Sequence, residues 1–480
     1  MSADVGPGTV RFGRQSTRGF MLGFSALRAA VLGAAVVAGL IGLISAGLMG
    51  LVVSGIFIWG PLVASAFVRV QGRPAVEWAP VWLHWRARSY MGQTEYRARI
   101  ASDPRPAGTL ALPGEGASLR FHVDDKGICF VHDPHRQTLA ATLLVEHSAF
   151  ALLSPDQQST RVWGWGRALA SLAGSHIAAV QVLESVVSDP GTGVERWWAE
   201  HGVQGDGFAR SVYETLLGQA SLASSTHRTT ITLALDMRAA GKEIAQSGGG
   251  ARGAAAVLSE DMAGLEQSLR SADLRVGHWL SEQELATITR AAYDPESVLT
   301  PQSPGSNLAH AGPLAVSEHW DRLRTDSGWA TVLWLSEWPR IDVPADFLHQ
   351  LVFAPGVRRS FSLIARPLST SDALKQVRRE KTDILADQAQ KAKIGQVQSL
   401  SDIQEYRDVE AREQALIAGH ADVEFVGLVA VWAPSERALD AAVSSIARSA
   451  AQASCETRPL YGQQSQAFLA AALPLARRTW

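Results

Sequence analysis

The chain has 480 residues, a formal net charge of −2 and 46% hydrophobic residues. That balance excludes a globally basic nucleic-acid binder and supplies enough apolar residues for two or three cores. Two cysteines, Cys129 and Cys455, are too few and too far apart for a disulfide framework or a structural zinc site.

The charge is unevenly placed. Arg11, Arg14, Arg18 and Arg28 come first, and then Ala29 to Val68 passes without one charged residue. As one helix that stretch would measure about 60 Å, roughly twice the hydrocarbon core of a bilayer. Two helices fit better, Met21–Ile44 and Leu48–Val68, turning at Ser45, Gly47 and Gly50. A signal peptide is much shorter, and a buried core pair rarely runs this long without a charge. Arg28 can snorkel to the headgroups. Arg69, Arg73, Arg86 and Arg88 come after the stretch, so basic residues flank it on both sides. Both termini are therefore expected in the cytoplasm, and the protein in a bacterial inner membrane as a multi-pass chain. Small residues Gly33, Gly39, Gly42 and Gly47 would let helices approach closely in lipid, either within the hairpin or against other membrane subunits. The expected layout begins with a basic cytoplasmic segment 1–20, a transmembrane hairpin 21–70 and a juxtamembrane part 71–100.

Trp78, Val81, Trp82 and Trp85 recur at helical spacing, with Arg86 and Arg88 after them. They predict a short helix lying at the headgroup level, or else a stripe packed into the soluble part. Residues 101–118 are rich in Pro and Gly and read as a linker. A first lobe occupies 119–294. It has strands at Leu119–Asp124, Ile128–His132, Leu139–His147, Ile177–Glu184, Thr229–Asp236 and Leu274–Leu280. Its helices start at Ser154-Pro155, Phe208, Gly253 and Ser281. Residues 295–313 read as a second linker. A second lobe over 314–480 has strands at Leu314–Trp320, Trp329–Trp338, Ser360–Arg366, Val423–Trp432 and Cys455–Pro459. Its helices lie at Asp346–Val352, at Ser371–Ala418 with a break near Gly395, after Ser435, and at Gln463–Leu473. Strands alternating with helical crossovers predict an α/β or α+β part built of two ferredoxin-like βαβ lobes. The charged stretch 371–418 reads as a solvated helix with a narrow apolar stripe.

Catalytic chemistry is hard to find in the sequence. The run Ser247-Gly248-Gly249-Gly250 opens a helix, but the only Gly-Lys pair, Gly241-Lys242, is followed by Glu243, so no phosphate loop exists. His132 and His135 flank Asp133-Pro134 and read as turn histidines. There is no zinc-protease motif and no nucleophile elbow. The expectation is a chain without cofactor, metal or enzymatic activity.

Short motifs add a resemblance. Val10-Arg11-Phe12-Gly13-Arg14 leads into the hairpin, and Glu77-Trp78-Ala79-Pro80, Trp85 and Gly92-Gln93-Thr94-Glu95-Tyr96-Arg97 come after it. Further on are Gly248-Gly249-Gly250, Trp279-Leu280, Ala292-Tyr293-Asp294-Pro295, Arg412-Glu413 and Gly419-His420. Together they resemble the integral membrane proteins of actinobacterial conjugation-type (type IV) secretion loci. The hairpin is similar to the PrgI-like two-span subunit, and the soluble part to the amino-terminal, non-catalytic domain of the TraC-class ATPase. The resemblance implies a non-catalytic scaffold, oligomeric within a complex. It would dock a separate secretion ATPase beside other membrane subunits, with the bilayer as a further partner and no nucleic acid bound directly. A membrane subunit of a type VII secretion system, which also pairs two amino-terminal spans with a cytosolic part, is the first alternative. A membrane-bound enzyme with an unrecognised site is the second.

Overall fold

A computed structural model describes residues 9–10, 25–98, 108–146, 153–188, 198, 200–202, 205, 207–221, 225–294, 307–339, 343–354, 356–393, 400–417 and 422–478. Two compact units emerge. One comprises Met1–Phe12, Thr94–Val377 and Ala411–Trp480; the other comprises Gly13–Gln93 and Arg378–Glu410.

The first unit is organised by one sheet. Its strands are β4 (Glu95–Arg97), β5 (Arg120–Val123), β6 (Cys129–Asp133), β7 (Thr138–Val145), β8 (Ile177–Ser188), β9 (Ser225–Asp236), β10 (Val276–Trp279), β11 (Ala315–Glu318), β12 (Leu323–Arg324), β13 (Trp329–Glu337), β15 (Arg358–Leu368), β16 (Asp422–Ala433) and β17 (Glu456–Pro459). A separate small pair joins β1 (Thr9–Val10) to β14 (Val343–Pro344). The remaining pair, β2 (Arg69–Val70) with β3 (Arg73–Pro74), belongs to the second unit.

Within the large sheet the order β10-β7-β9-β8 forms one half and β17-β13-β16-β15 the other. In each half the fourth strand lies beside the first, then the third, then the second. Helical crossovers join first to second and third to fourth, the split arrangement of a β-α-β-β-α-β unit. Every ladder is antiparallel, because a parallel partner is always separated by one intervening strand. The soluble part is therefore α+β rather than parallel α/β. The two halves also share an edge: β8 pairs antiparallel with β15 from Val180↔Ala365 to Ser185↔Ser360. The sheet thus runs unbroken through both expected lobes.

The helices obey local rules. α4 (Pro155–Leu172) and α8 (Glu282–Tyr293) begin with capping boxes, Ser154 with Gln157 and Ser281 with Glu284. α5 (Phe208–Ser221) lies between β8 and β9 in the chain. α6 (Gly241–Gln246) and α7 (Gly250–Ser271) meet across Gly248, Gly249 and Gly250, all at positive φ, which only glycine adopts at low cost. α4 and α7 cover one face of the first half, packing Leu258, Leu265 and Leu269 onto Leu139, Leu143 and Leu233. Gly164 of α4 touches Ala272, and a Cβ there would lie 2.9 Å from the Ala272 Cα. On the second half α9 (His349–Val352) and α12 (Glu436–Gln452) pack Leu351, Leu439 and Ile446 onto Leu333, Val429 and Val431.

The opposite face carries a single core, running under both halves and covered by α8 and α13 (Gln464–Ala472). Alanines 467, 470, 471 and 472 are buried there, letting α13 sit close to the strands. Both stretches expected as linkers contribute to this core. Leu110, Leu112 and Leu308 are almost fully buried, and Gly312 packs against the Ala111 carbonyl with no room for a Cβ. Residues 99–107 and 295–306 lie outside the described residues. The long charged stretch forms α10 (Thr370–Lys393) and α11 (Leu400–Ile417); the break expected near Gly395 also falls outside them.

Candidate membrane anchor and its surroundings

The second unit holds an apolar helical segment, Ala26–Phe67, long and apolar enough to cross a membrane. It comprises α1 (Ala26–Ser54), a π-helical turn at Gly55–Trp59 and α2 (Gly60–Phe67). The helix is interrupted inside α1, at Ala46 (φ −143°, ψ 26°) and Gly47 (φ 57°, ψ −143°). The chain turns back there. Arg28 Nε donates to the Ala66 carbonyl at 3.1 Å, although 38 residues separate them; an unbroken helix would hold them about 57 Å apart.

The small residues divide by role. Gly42 and Gly50 abut one another with no space for a side chain, and a Cβ on Gly39 would lie 3.6 Å from the Trp59 indole. Gly47 supplies the left-handed turn conformation. Gly33 has nothing within 4 Å of where a Cβ would stand. The outer surface stays apolar: Ile44, Leu48, Met49 and Phe57 are 71–84% exposed. In a soluble core helix such side chains would be buried.

The base of the segment is tied to the next helix, α3 (Ala75–Tyr90). Ser25 caps α1 and its hydroxyl donates to Glu77 Oε1 at 2.8 Å. Ala75 N–H donates to the Val68 carbonyl at 2.8 Å. α3 therefore starts at the level where both ends of the apolar segment meet. Trp78 Nε1 donates to the Val70 carbonyl at 2.9 Å. Along α3, Trp78, Val81 and Trp85 are half-buried and Arg88 is buried, while Leu83, Arg86 and Tyr90 are exposed, with Trp82 at the border. Of the tryptophan stripe singled out in the sequence, Trp78 and Trp85 are half-buried and Trp82 is exposed. Arg28, Arg69 and Arg73 lie at the segment's base and Arg86 farther along α3; Arg11, Arg14 and Arg18 lie outside the described residues.

In the first unit, sequence reasoning missed a polar seam under α13. Gln181, fully buried on β8, donates to Ser362 Oγ (2.9 Å), Ala470 O (2.9 Å) and Leu473 O (3.0 Å), and accepts from Ala476 N–H at 2.6 Å. Ser360 and Ser362 of β15 donate to Ala471 O and Ala470 O. Arg477 pairs with Asp133 at 2.7 Å, both buried. These contacts fasten the chain's last helix across the joint between the two half-sheets. The sequence signal was a glutamine and two serines set among apolar residues of their strands.

Among the described residues nothing resembles a reaction centre. No group of three metal-binding side chains occurs among them. An open cleft of about 670 Å³ lies between α7 and the turn at Asp124–Ile128, but its carboxylate Glu266 is already engaged by the Trp279 indole (2.6 Å) and Arg270 (2.6 Å). Asp133 Oδ1 accepts from the backbone N–H groups of His135 and Arg136, so both sequence histidines flank a structural turn. Burial pushes the Cys129 thiol up to about 12 and the Cys455 thiol up to about 11.

Residues 223–335, running from β9 through α6, α7, β10 and α8 into β13, match the family described as the putative type VII ESX secretion system translocon component EccE. No curated protein matches the chain. The match overturns the resemblance to conjugation-type machines and its TraC-class ATPase partner, which rested on scattered short motifs. The chain is similar, over that region, to a type VII secretion component.

Proposed function

We propose that this chain is a non-catalytic membrane subunit of a type VII secretion system. The match of residues 223–335 to the EccE translocon family carries the reading. The folded-back apolar segment, with its exposed aliphatic surface and basic flanks, supports a two-span hairpin anchored in the cytoplasmic membrane. In this reading the large sheet is a cytoplasmic body that meets other membrane subunits of the secretion complex. It holds no cofactor and turns over no substrate; the internally paired carboxylates and high-pKa thiols support a structural role.

The test is genetic. Deleting the gene should abolish export through the type VII system, and resupplying the intact chain should restore it. Export that continues undiminished in the deletion strain contradicts the proposal.

A further inference from the structure

We infer that the outer face of α3 lies on the cytoplasmic leaflet and binds anionic lipid headgroups, with Leu83, Tyr90 and Met91 entering the interface and Arg86 meeting phosphate. This rests on the membrane reading of the apolar segment.

Three observations point to the bilayer as occupant. The first is continuity. α3 is joined to the end of the apolar segment by a short β2–β3 turn, and the Ser25–Glu77 and Ala75–Val68 hydrogen bonds fix its start at the segment's base. The helix, about 24 Å long, therefore starts at headgroup level if the apolar segment spans the bilayer. The second is the identity of the exposed side chains. Leu83 is 65% exposed, Met91 68% and Tyr90 94%, with Trp82 half-exposed beside them. Ala79, Leu83, Arg86 and Tyr90 stand at i, i+4, i+7 and i+11, so they form one strip. Such a strip costs exposed apolar area in water, whereas an amphipathic ring with a polar tip is at home between tails and headgroups. The third is charge. Arg86 stands within the strip, and exposed Arg69 lies on the adjoining turn, while the helix's own acid, Glu77, is engaged by Ser25. Exposed cations beside an apolar strip suit an anionic surface.

The inward face supplies the contrast. Trp78, Val81 and Trp85 are half-buried and Arg88 is buried, so of the three tryptophans only Trp82 stands exposed beside the strip.

The test uses the full chain in nanodiscs of phosphatidylcholine, with or without phosphatidylglycerol. A dye sensitive to its surroundings is attached at Leu83→Cys, at Val53→Cys in the apolar segment, or at Asp125→Cys on an exposed turn. The two native cysteines are buried and leave the labelling selective. The inference predicts that the Leu83→Cys dye is protected from aqueous iodide, is quenched by headgroup-level spin-labelled lipid, and shifts further to the blue when phosphatidylglycerol is present. Arg86→Gln should lose that additional shift. If the Leu83→Cys dye is quenched by iodide as fully as the Asp125→Cys dye, while the Val53→Cys dye responds only to a mid-bilayer quencher, the inference fails and the anchor stands. If iodide also reaches the Val53→Cys dye, the anchor reading fails, and this inference with it.

Discussion

Val10 and Val343 are ladder partners in a short antiparallel pair that joins a residue ahead of the apolar segment to a strand in the body behind it. Backbone hydrogen bonds cannot form across a bilayer. The pair thus supports the proposed two-span anchor, in which the chain before and after the apolar segment lies on one side of the membrane. This agrees with the turn at Ala46 and Gly47 and with the arginines on both flanks.

Topology can be read by labelling. In spheroplasts, an impermeant maleimide should modify Ser45→Cys but neither Thr9→Cys nor Asp125→Cys, and all three should react once the membrane is opened. Opposite behaviour of Thr9→Cys and Asp125→Cys would mean an odd number of crossings.

Helix packing at the fold-back should be intolerant of bulk. Gly42→Val forces a side chain into the Gly50 backbone and Ser54. Overpacking of this kind costs about 1–3 kcal/mol. Gly33→Val, where a Cβ meets open space, should change little. Thermal unfolding in detergent separates the two; equal midpoints would mean that the two helices do not pack through Gly42.

The seam beneath α13 should matter more than any surface ion pair. Arg477→Met leaves Asp133 buried without its guanidinium, and breaking a buried pair costs about 3–5 kcal/mol. Gln181→Leu leaves the Ala476 N–H without its acceptor, at about 1–3 kcal/mol for a buried group left unsatisfied, while the Ala470 and Leu473 carbonyls keep Ser362 Oγ and the Leu475 N–H. Arg210→Ala, whose partner Glu214 is exposed to solvent, should cost least of the three. Denaturant unfolding followed by tryptophan fluorescence ranks the three. A ranking with Arg210→Ala most harmful contradicts the assignment.

Both thiols should be inert in the folded chain. Burial raises Cys129 to about 12 and Cys455 to about 11, so the reactive thiolate is scarce at pH 8 and sheltered as well. Iodoacetamide should modify neither in native protein and both in denaturant. Rapid native modification of either would place that cysteine at the surface.

Much of this architecture was legible because its signals are local. Ser154 and Ser281 announced their helices through partners three residues on, and Thr229–Asp236 showed its faces by alternation. The β-α-β-β-α-β character of each half came from the order of elements. The features that were not legible depend on partners far along the chain. The pairing of Leu183 with Ser362 fuses two expected lobes, yet an edge strand carries no local mark of which edge it will meet. Leu110 and Leu308 sat in Pro- and Gly-rich stretches, where composition outweighed the isolated apolar residues that pack into the core. On α3 the tryptophan spacing left two directions open, and burial divides the three: Trp78 and Trp85 are half-buried beside the buried Arg88, and Trp82 is exposed. The secretion type was misread because scattered motifs carried it, whereas the contiguous match over 223–335 points to type VII.

The measurement that bears most directly on the account is the company this chain keeps in its own membrane. An affinity-tagged full-length chain, extracted in mild detergent and separated on a native gel, should migrate in a high-mass species whose other components, identified by mass spectrometry, are membrane subunits of a type VII secretion system. If the tagged chain runs alone while that complex assembles in full without it, the central claim is wrong.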